Sequence, residues 1–270
     1  MLEIRELRAA ELPLLKDFST PKWHTDISAI FGRHFGQPYF FPIVAEWEGG
    51  IAGCANGLLN GEAGWLGNII VLPEARGKGI GKALTQHLVE FFRAKRVGHQ
   101  ILIATSLGER VYRKLGFEIV SNYIFFSKQE GSTLPDAAAG VRPLKREDEA
   151  AVFALDKAVT GEIRQGFLSH YLEDAWVHAS ASGEVDGYYL SSLGNGLIIA
   201  WNDEAGSALI CHKLSLGAQT SVVPEGNKVA AELLRSSGFV ETSRAPRMCL
   251  EPDVNWRPER VYARGTGFCG

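Results

Sequence analysis

The run Val71-Leu72-Pro73-Glu74-Ala75-Arg76-Gly77-Lys78-Gly79-Ile80-Gly81-Lys82-Ala83 constrains this chain more than any other stretch. An apolar segment, residues 65–71, runs into Pro73, which ends a β ladder because it has no N–H to donate. Three glycines at alternate positions then open a segment in which Ile80, Leu84, Leu88, Phe91 and Phe92 recur at helical spacing, predicting a helix from about Gly79 to Lys95. Glycine lets the backbone curl and removes the Cβ atoms that would block a ligand's approach. The free N–H groups of the helix's first turn form an anion nest at the positive end of its dipole. Arg76, Lys78 and Lys82 add charge of the matching sign, and a pyrophosphate is the natural occupant. Two common phosphate loops fail on spacing. A Walker loop needs glycine five residues before Gly81 and a hydroxyl at 83, where Arg76 and Ala83 stand. A GxGxxG fingerprint needs glycine at 82 or 84, where Lys82 and Leu84 stand.

Around this turn the chain reads as a short strand near Ile4 to Leu7, a helix carrying Leu12, Leu14, Leu15 and Phe18, and a second helix around residues 26–35. Three extended segments follow at 40–47, 51–59 and 65–71, with Gly49-Gly50 and Asn60-Gly61 at the joints as hairpin turns. After the glycine-led helix come a strand at 100–104, a helix at 109–115 and a final β segment through Phe126. Residues 128–140 are poor in large apolar side chains and read as a linker. Directly after them, VRPLKREDEAAVFAL restates the IRELRAAELPLL theme of the start, the mark of an internal duplication. With 270 residues, two domains of about 130 each are expected, at 1–127 and 141–270.

Composition narrows the function classes. A net charge of −3 predicts no general attraction to nucleic acid or to an anionic membrane. No apolar run approaches the roughly 20 residues needed to span a bilayer. The charged first twenty residues leave no room for a secretory h-region, so a cytoplasmic protein is expected. Cys54, Cys211, Cys249 and Cys269 are scattered without ligand spacing and the seven histidines form no paired motif, so no metal site is expected.

Two motifs carry a family resemblance. The glycine turn, with Arg76, Gly79 and Gly81 in the fixed places, resembles the coenzyme A motif of the GNAT N-acetyltransferase superfamily. The segment Thr105–Glu118 (TSLGERVYRKLGFE) is similar to the superfamily's Asn-x-x-Ala-x-x-Leu-Tyr-x-x-x-Gly-Phe motif; Thr105 and Gly108 depart from it, while Val111, Tyr112, Gly116 and Phe117 fit. The resemblance implies an α/β (α+β) fold of two GNAT-like domains, each a mixed, mostly antiparallel sheet flanked by helices. In the N-terminal domain it implies a central strand pair splayed to admit pantetheine.

It further implies acetyl-CoA as co-substrate, held by the backbone of Ile69, Ile70 and Val71, by the turn residues Arg76, Gly77, Lys78, Gly79, Ile80, Gly81 and Lys82, and by Thr105 and Ser106. Tyr112 stands at the place of the general acid. The glutamate that many relatives carry ahead of the turn is missing: Leu66-Gly67-Asn68-Ile69 holds no carboxylate. Asn68 can orient a water, and His24 and Asp26 are the candidates for the base, Asp26 being equally suited to cap a helix. Trp23, Phe40, Phe41 and Trp65 are candidates to line an acceptor cavity. The acceptor is expected to be the amine of a small molecule; a non-catalytic acyl-CoA sensor is the alternative.

The second half resembles a degenerate copy. Asn227-x-x-Ala230-x-x-Leu233-Leu234-x-x-x-Gly238-Phe239 repeats the second motif but puts Leu234 at the tyrosine's place. Asn202-Asp203-Glu204-Ala205-Gly206-Ser207 replaces the glycine turn with two acids, the wrong sign for a pyrophosphate. Thr160-Gly161-x-x-Arg164 and Arg247-Met248 extend the likeness to tandem-GNAT proteins, with Arg164, Trp176, Trp201 and Asp203 as polar or aromatic residues for either packing or a ligand.

Overall fold

A computed structural model describes residues 1–18, 26–130, 139–251 and 255–270. They form two compact units, which divide the chain differently from the sequence halves: residues 1–118, 248–251 and 267–269 make the first, and 119–247, 255–266 and 270 the second. The boundary expected at residue 127 falls inside the second unit, and residues 248–251 and 267–269 of the second half group with the first.

In the first unit, strands β1 (Leu2–Glu6), β2 (Phe40–Trp47), β3 (Gly50–Asn60) and β4 (Ala63–Val71) are joined antiparallel in that order, with hairpins at the two joints read from the sequence. The segment Ala9–Phe18 is a 3-10 helix rather than an α-helix. It carries Pro13, which cannot donate to an i−4 carbonyl. Helix α1 (Ile27–His34) follows; helix α2 (Ile80–Ala94) lays Ile80, Leu84, Leu88 and Phe92 on the sheet against Ala55 and Leu66. Strand β5 (His99–Ile103) runs parallel to β4, and α3 (Glu109–Lys114) closes the unit. Met248 is buried in the same core and Leu250 N–H donates to Gln100 O at 3.0 Å, so residues 248–250 continue this unit beyond β5.

The second unit begins with β6 (Glu118–Lys128) and repeats the order: β7 (Val141–Pro143), α4 (Glu149–Thr160), α5 (Gln165–Leu168), β8 (Ala175–Ala179), β9 (Val185–Leu190), β10 (Leu197–Ala200), α6 (Asp203–Ser215), β11 (Thr220–Pro224), α7 (Lys228–Ser236) and β12 (Phe239–Cys249). Here β6 pairs with β11 in register from Ser127↔Thr220 to Tyr123↔Pro224. A last strand, β13 (Val261–Ala263), had no signal in the sequence.

The duplication is legible atom by atom. Arg5 grips Glu11 with both terminal nitrogens at 2.9 and 2.8 Å, and Arg8 N–H donates to the same carboxylate at 3.0 Å. At the matching places Arg142 grips Asp148 at 2.6 and 2.9 Å and Lys145 N–H donates to it at 2.8 Å. Each bidentate pair locks the first strand of its sequence repeat, β1 or β7, to the helical turn that follows. Among the described residues no helix is long and apolar enough to cross a membrane, and no group of side chains has the make-up of a metal site.

Candidate active site

Parallel pairing between β4 and β5 covers Ala63↔His99, Gly64↔Gln100 and Trp65↔Ile101 and stops there. Beyond it the strands part, the splay expected of this fold. β4 continues through Asn68, Ile69, Ile70 and Val71, all partly exposed, along one side of the opening.

At the mouth, the glycine turn takes the shape its composition demands. Gly77 and Gly79 have φ of +78° and +82°, conformations that any side chain would strain. A Cβ at either would meet no atom within 4 Å, so the space beside both glycines is open. Gly79 begins α2 with no side-chain cap, so no N-cap side chain accepts from the first-turn N–H groups. Arg76 Nε donates to Val71 O at 3.1 Å, tying the turn to the strand end, and Lys78 lies 5.6 Å above the Trp47 ring. Ile80 is buried in the core, so only its backbone faces the turn.

Thr105 and Ser106 are exposed in the loop after β5, and Thr105 Oγ1 accepts from Gly108 N–H at 3.2 Å. A Cβ at Gly108 would come within 2.6 Å of the Tyr112 ring. Glycine at this departure from the motif is thus what lets the ring lie against the start of its own helix. Tyr112 is 8% exposed, and burial pushes its phenol up to about 12, so it stays protonated through the neutral range.

Asn68 sits where β4 is irregular: pairing with β3 shifts register between Cys54 and Asn56, and Asn68 itself has φ of +49°. Its side chain turns back so that Nδ2 donates to Asn56 Oδ1 at 2.7 Å. Asn56, wholly buried on a strand of small and apolar residues, was not anticipated from sequence. Neither was Phe268, whose Cβ comes so near Gly67 that a Cβ there would lie 2.1 Å from it.

Asp26 caps α1, its carboxylate accepting from Ala29 N–H at 3.0 Å, and is exposed. Trp23 and His24 lie outside the described residues. Phe40 and Trp65 are buried core residues, Phe40 edge-on to Phe31 at 5.4 Å; Phe41 packs on Phe91 at 4.6 Å.

The equivalent region of the second unit is filled by its own chain. β13 pairs antiparallel with β10 (Ile198↔Ala263, Ile199↔Val261), and Arg264 N–H donates to Val222 O of β11 at 2.7 Å. Residues 261–264 therefore run between the two strands that would otherwise part. The turn before α6 is capped by Asn202, whose side chain accepts from Ala205 N–H at 2.8 Å. Tyr262 OH hydrogen-bonds Asp203, Arg260 approaches the same carboxylate at 3.9 Å, and a Cβ at Gly206 would lie 2.3 Å from the Tyr262 ring. Arg164 is committed to a buried pair with Asp156 at 3.0 and 2.5 Å, joined by Tyr188. Trp176 packs on His212 at 4.1 Å, while Trp201 is exposed with Arg257 5.4 Å above its ring.

Models of the acetyltransferase (GNAT) domain match residues 38–119 and, separately, 152–263. A candidate acetyltransferase from Pyrococcus horikoshii shares 20% identity at a TM-score of 0.86, over 100% of this chain and 96% of its own. A tandem GNAT protein from the clavulanic acid biosynthesis pathway shares 16% identity at a TM-score of 0.63 over 94% and 100%. A GCN5-related N-acetyltransferase from Sphaerobacter thermophilus shares 15% identity at 0.61 over 99% and 98%. At these identities the likeness is one of fold. No curated protein matches the chain.

Proposed function

We propose that this chain, which belongs to the GNAT superfamily as a tandem protein with one such domain in each half, transfers acetyl from acetyl-CoA to the primary amine of a small molecule, using the first unit alone. The observation that carries the reading is the pairing of an open splay with an uncapped, glycine-lined helix start, at residues 66–71 and 76–82.

Acetyl-CoA would lay its pyrophosphate on the N–H groups of 77–82, with Arg76, Lys78 and Lys82 nearby and Thr105 and Ser106 on the far side of the opening. Pantetheine would take the splay as an added strand, pairing with the backbone of Ile69, Ile70 and Val71. Those N–H groups also suit the thioester carbonyl, whose oxygen gains charge as the amine attacks. The amine nitrogen then forms a bond to the carbonyl carbon, the C–S bond breaks, and the thiolate takes a proton from Tyr112 as general acid. The nitrogen loses its proton to water, and onward transfer returns one to the phenolate. The products are an acetamide and coenzyme A. Asn68 is suited to orient the water; His24 and Asp26 are the candidates to pass the proton on. If His24→Ala and Asp26→Ala both keep full kcat/KM across pH, neither has that role.

One observation favours a second reading, a non-catalytic acyl-CoA sensor: residues 66–69 carry no carboxylate. Thiol release from acetyl-CoA in the presence of an amine library separates the two. Turnover supports the transferase. Tight binding without turnover for any amine supports the sensor, and absence of binding in calorimetry removes both.

A further inference from the structure

Next to the bulge of β4 the first unit buries an amide that nothing in the protein completes. Asn56 is wholly buried; its Oδ1 accepts from Asn68 Nδ2 at 2.7 Å, but its own Nδ2 has no partner. A buried donor left unmade costs folding free energy, so such groups call for an occupant. Asn56 is directly paired with Gly67, and opposed residues of a ladder share one sheet face. The Cβ direction at Gly67 runs into Phe268, which places Asn56 on the Phe268 face; α2 covers the other face through Leu66 and Leu84. The positive φ of Asn68 brings its side chain to that same face. Asn68 immediately precedes Ile69–Val71, where the thioester is proposed to bind, and Asn56 stands on the neighbouring strand opposite Gly67.

The hydrogen-bonding inventory is specific. Asn68 has used an N–H and keeps its Oδ1 as an acceptor, while Asn56 has used its oxygen and keeps an N–H donor. Neither group is charged. An attacking amine aims its lone pair at the carbonyl carbon, so it can donate a hydrogen bond to Asn68 Oδ1 but cannot accept one from Asn56. The Asn56 donor needs an oxygen from elsewhere in the same molecule.

We propose that the Asn56–Asn68 pair selects acceptors whose primary amine has a hydroxyl or carbonyl oxygen on the neighbouring carbon. The amine N–H donates to Asn68 Oδ1, and the vicinal oxygen accepts from Asn56 Nδ2. Asn56 is then a specificity-determining residue. This inference rests on the acetyltransferase reading of the first unit.

The test measures kcat/KM with acetyl-CoA for matched amines: 2-aminoethanol against propylamine, alaninamide against sec-butylamine, and 2-amino-3-phenylpropan-1-ol against 1-phenylpropan-2-amine. Wild type should favour the oxygen-bearing member of each pair by about tenfold or more, the discrimination of a site built around a hydrogen bond. Asn56→Leu removes the donor with little change in shape. Asn56→Asp removes it while keeping an oxygen for Asn68, and so serves if the leucine variant fails to fold. Either variant should erase the preference, bringing the ratio of kcat/KM within each pair to about one. No preference in wild type overturns the inference. So does an equal fall with both members of each pair, which would make the occupant a water or the role one of support. Acetylation of no amine by wild type that binds acetyl-CoA instead overturns the transferase reading beneath it.

Discussion

The two units are built on one plan and differ at one place. Both carry an arginine gripping a carboxylate six residues on, and both end their second motif with Gly-Phe at a positive-φ glycine, Gly116 and Gly238. Where the plan opens a cleft, the first unit leaves it open and the second threads residues 261–264 through it. The helix start tells the same story. In one unit it is bare glycine facing open space; in the other it is capped by Asn202 and covered by Tyr262, held on Asp203. The second unit satisfies within itself the backbone groups that, on the proposed reading, the first keeps for acetyl-CoA; internal packing there stands in the place of the proposed site.

This contrast breaks most visibly at the two glycines. Gly206→Val puts methyl groups into the Tyr262 ring, and with contact already at 2.3 Å for a bare Cβ the expected outcome is unfolding of the second unit or a loss of at least about 3 kcal/mol, read by chemical denaturation. Gly79→Val should cost only about 1–2 kcal/mol of stability, from its φ, yet weaken acetyl-CoA binding by about a hundredfold in calorimetry. If Gly206→Val is tolerated, the second cleft is not truly filled.

The buried pair in the second unit sharpens the claim that its polar residues are structural. Arg164→Met strands Asp156 and should cost about 3–5 kcal/mol, measured by denaturation, with acetyl-CoA affinity unchanged. Tyr112→Phe in the first unit should do the reverse, lowering kcat by about a hundredfold with little change in stability. The corresponding Leu234→Tyr should bring no activity.

A pH dependence separates the units as well. Burial lowers the Lys213 ammonium to about 7, with Ser221 Oγ its hydrogen-bond partner at 3.1 Å. Its folded pKa lies below the unfolded value, so the unfolded chain binds the extra proton between them. The cost to folding is full below pH 7 and fades as pH rises toward the ordinary lysine value. Stability of the second unit should therefore climb by a few kcal/mol from pH 7 to about 10. Lys213→Met should flatten that climb. A smaller effect belongs to Asp26→Ala, which should cost the first unit about 1 kcal/mol through loss of its helix cap.

How much of this could be read beforehand follows from the range of each determinant. The glycine turn was legible because strand stop, anion nest and amphipathic helix are contiguous in the chain. The duplication was legible because Arg5–Glu11 and Arg142–Asp148 are local pairs. The 3-10 form of residues 9–18 hung on Pro13, a single residue within an otherwise helical stripe. The filling of the second cleft was not legible: Val261-Tyr262-Ala263 is too short to signal a strand, and its place depends on Gly206 and Asp203 far back in the chain. The exchange of β6 and of residues 248–251 between units left no trace either, since a strand reads alike in either sheet. Asn56 was hidden for a third reason. A lone asparagine in an apolar strand shows its unmade hydrogen bond only once its neighbours are in place.

The most direct test of the central contrast is the stoichiometry of acetyl-CoA binding by isothermal titration calorimetry on the full chain. One molecule per chain, with the heat abolished by Gly79→Val and preserved in Arg164→Met, is the result expected of one open and one filled cleft. Two molecules per chain, or one whose binding survives Gly79→Val, would contradict it.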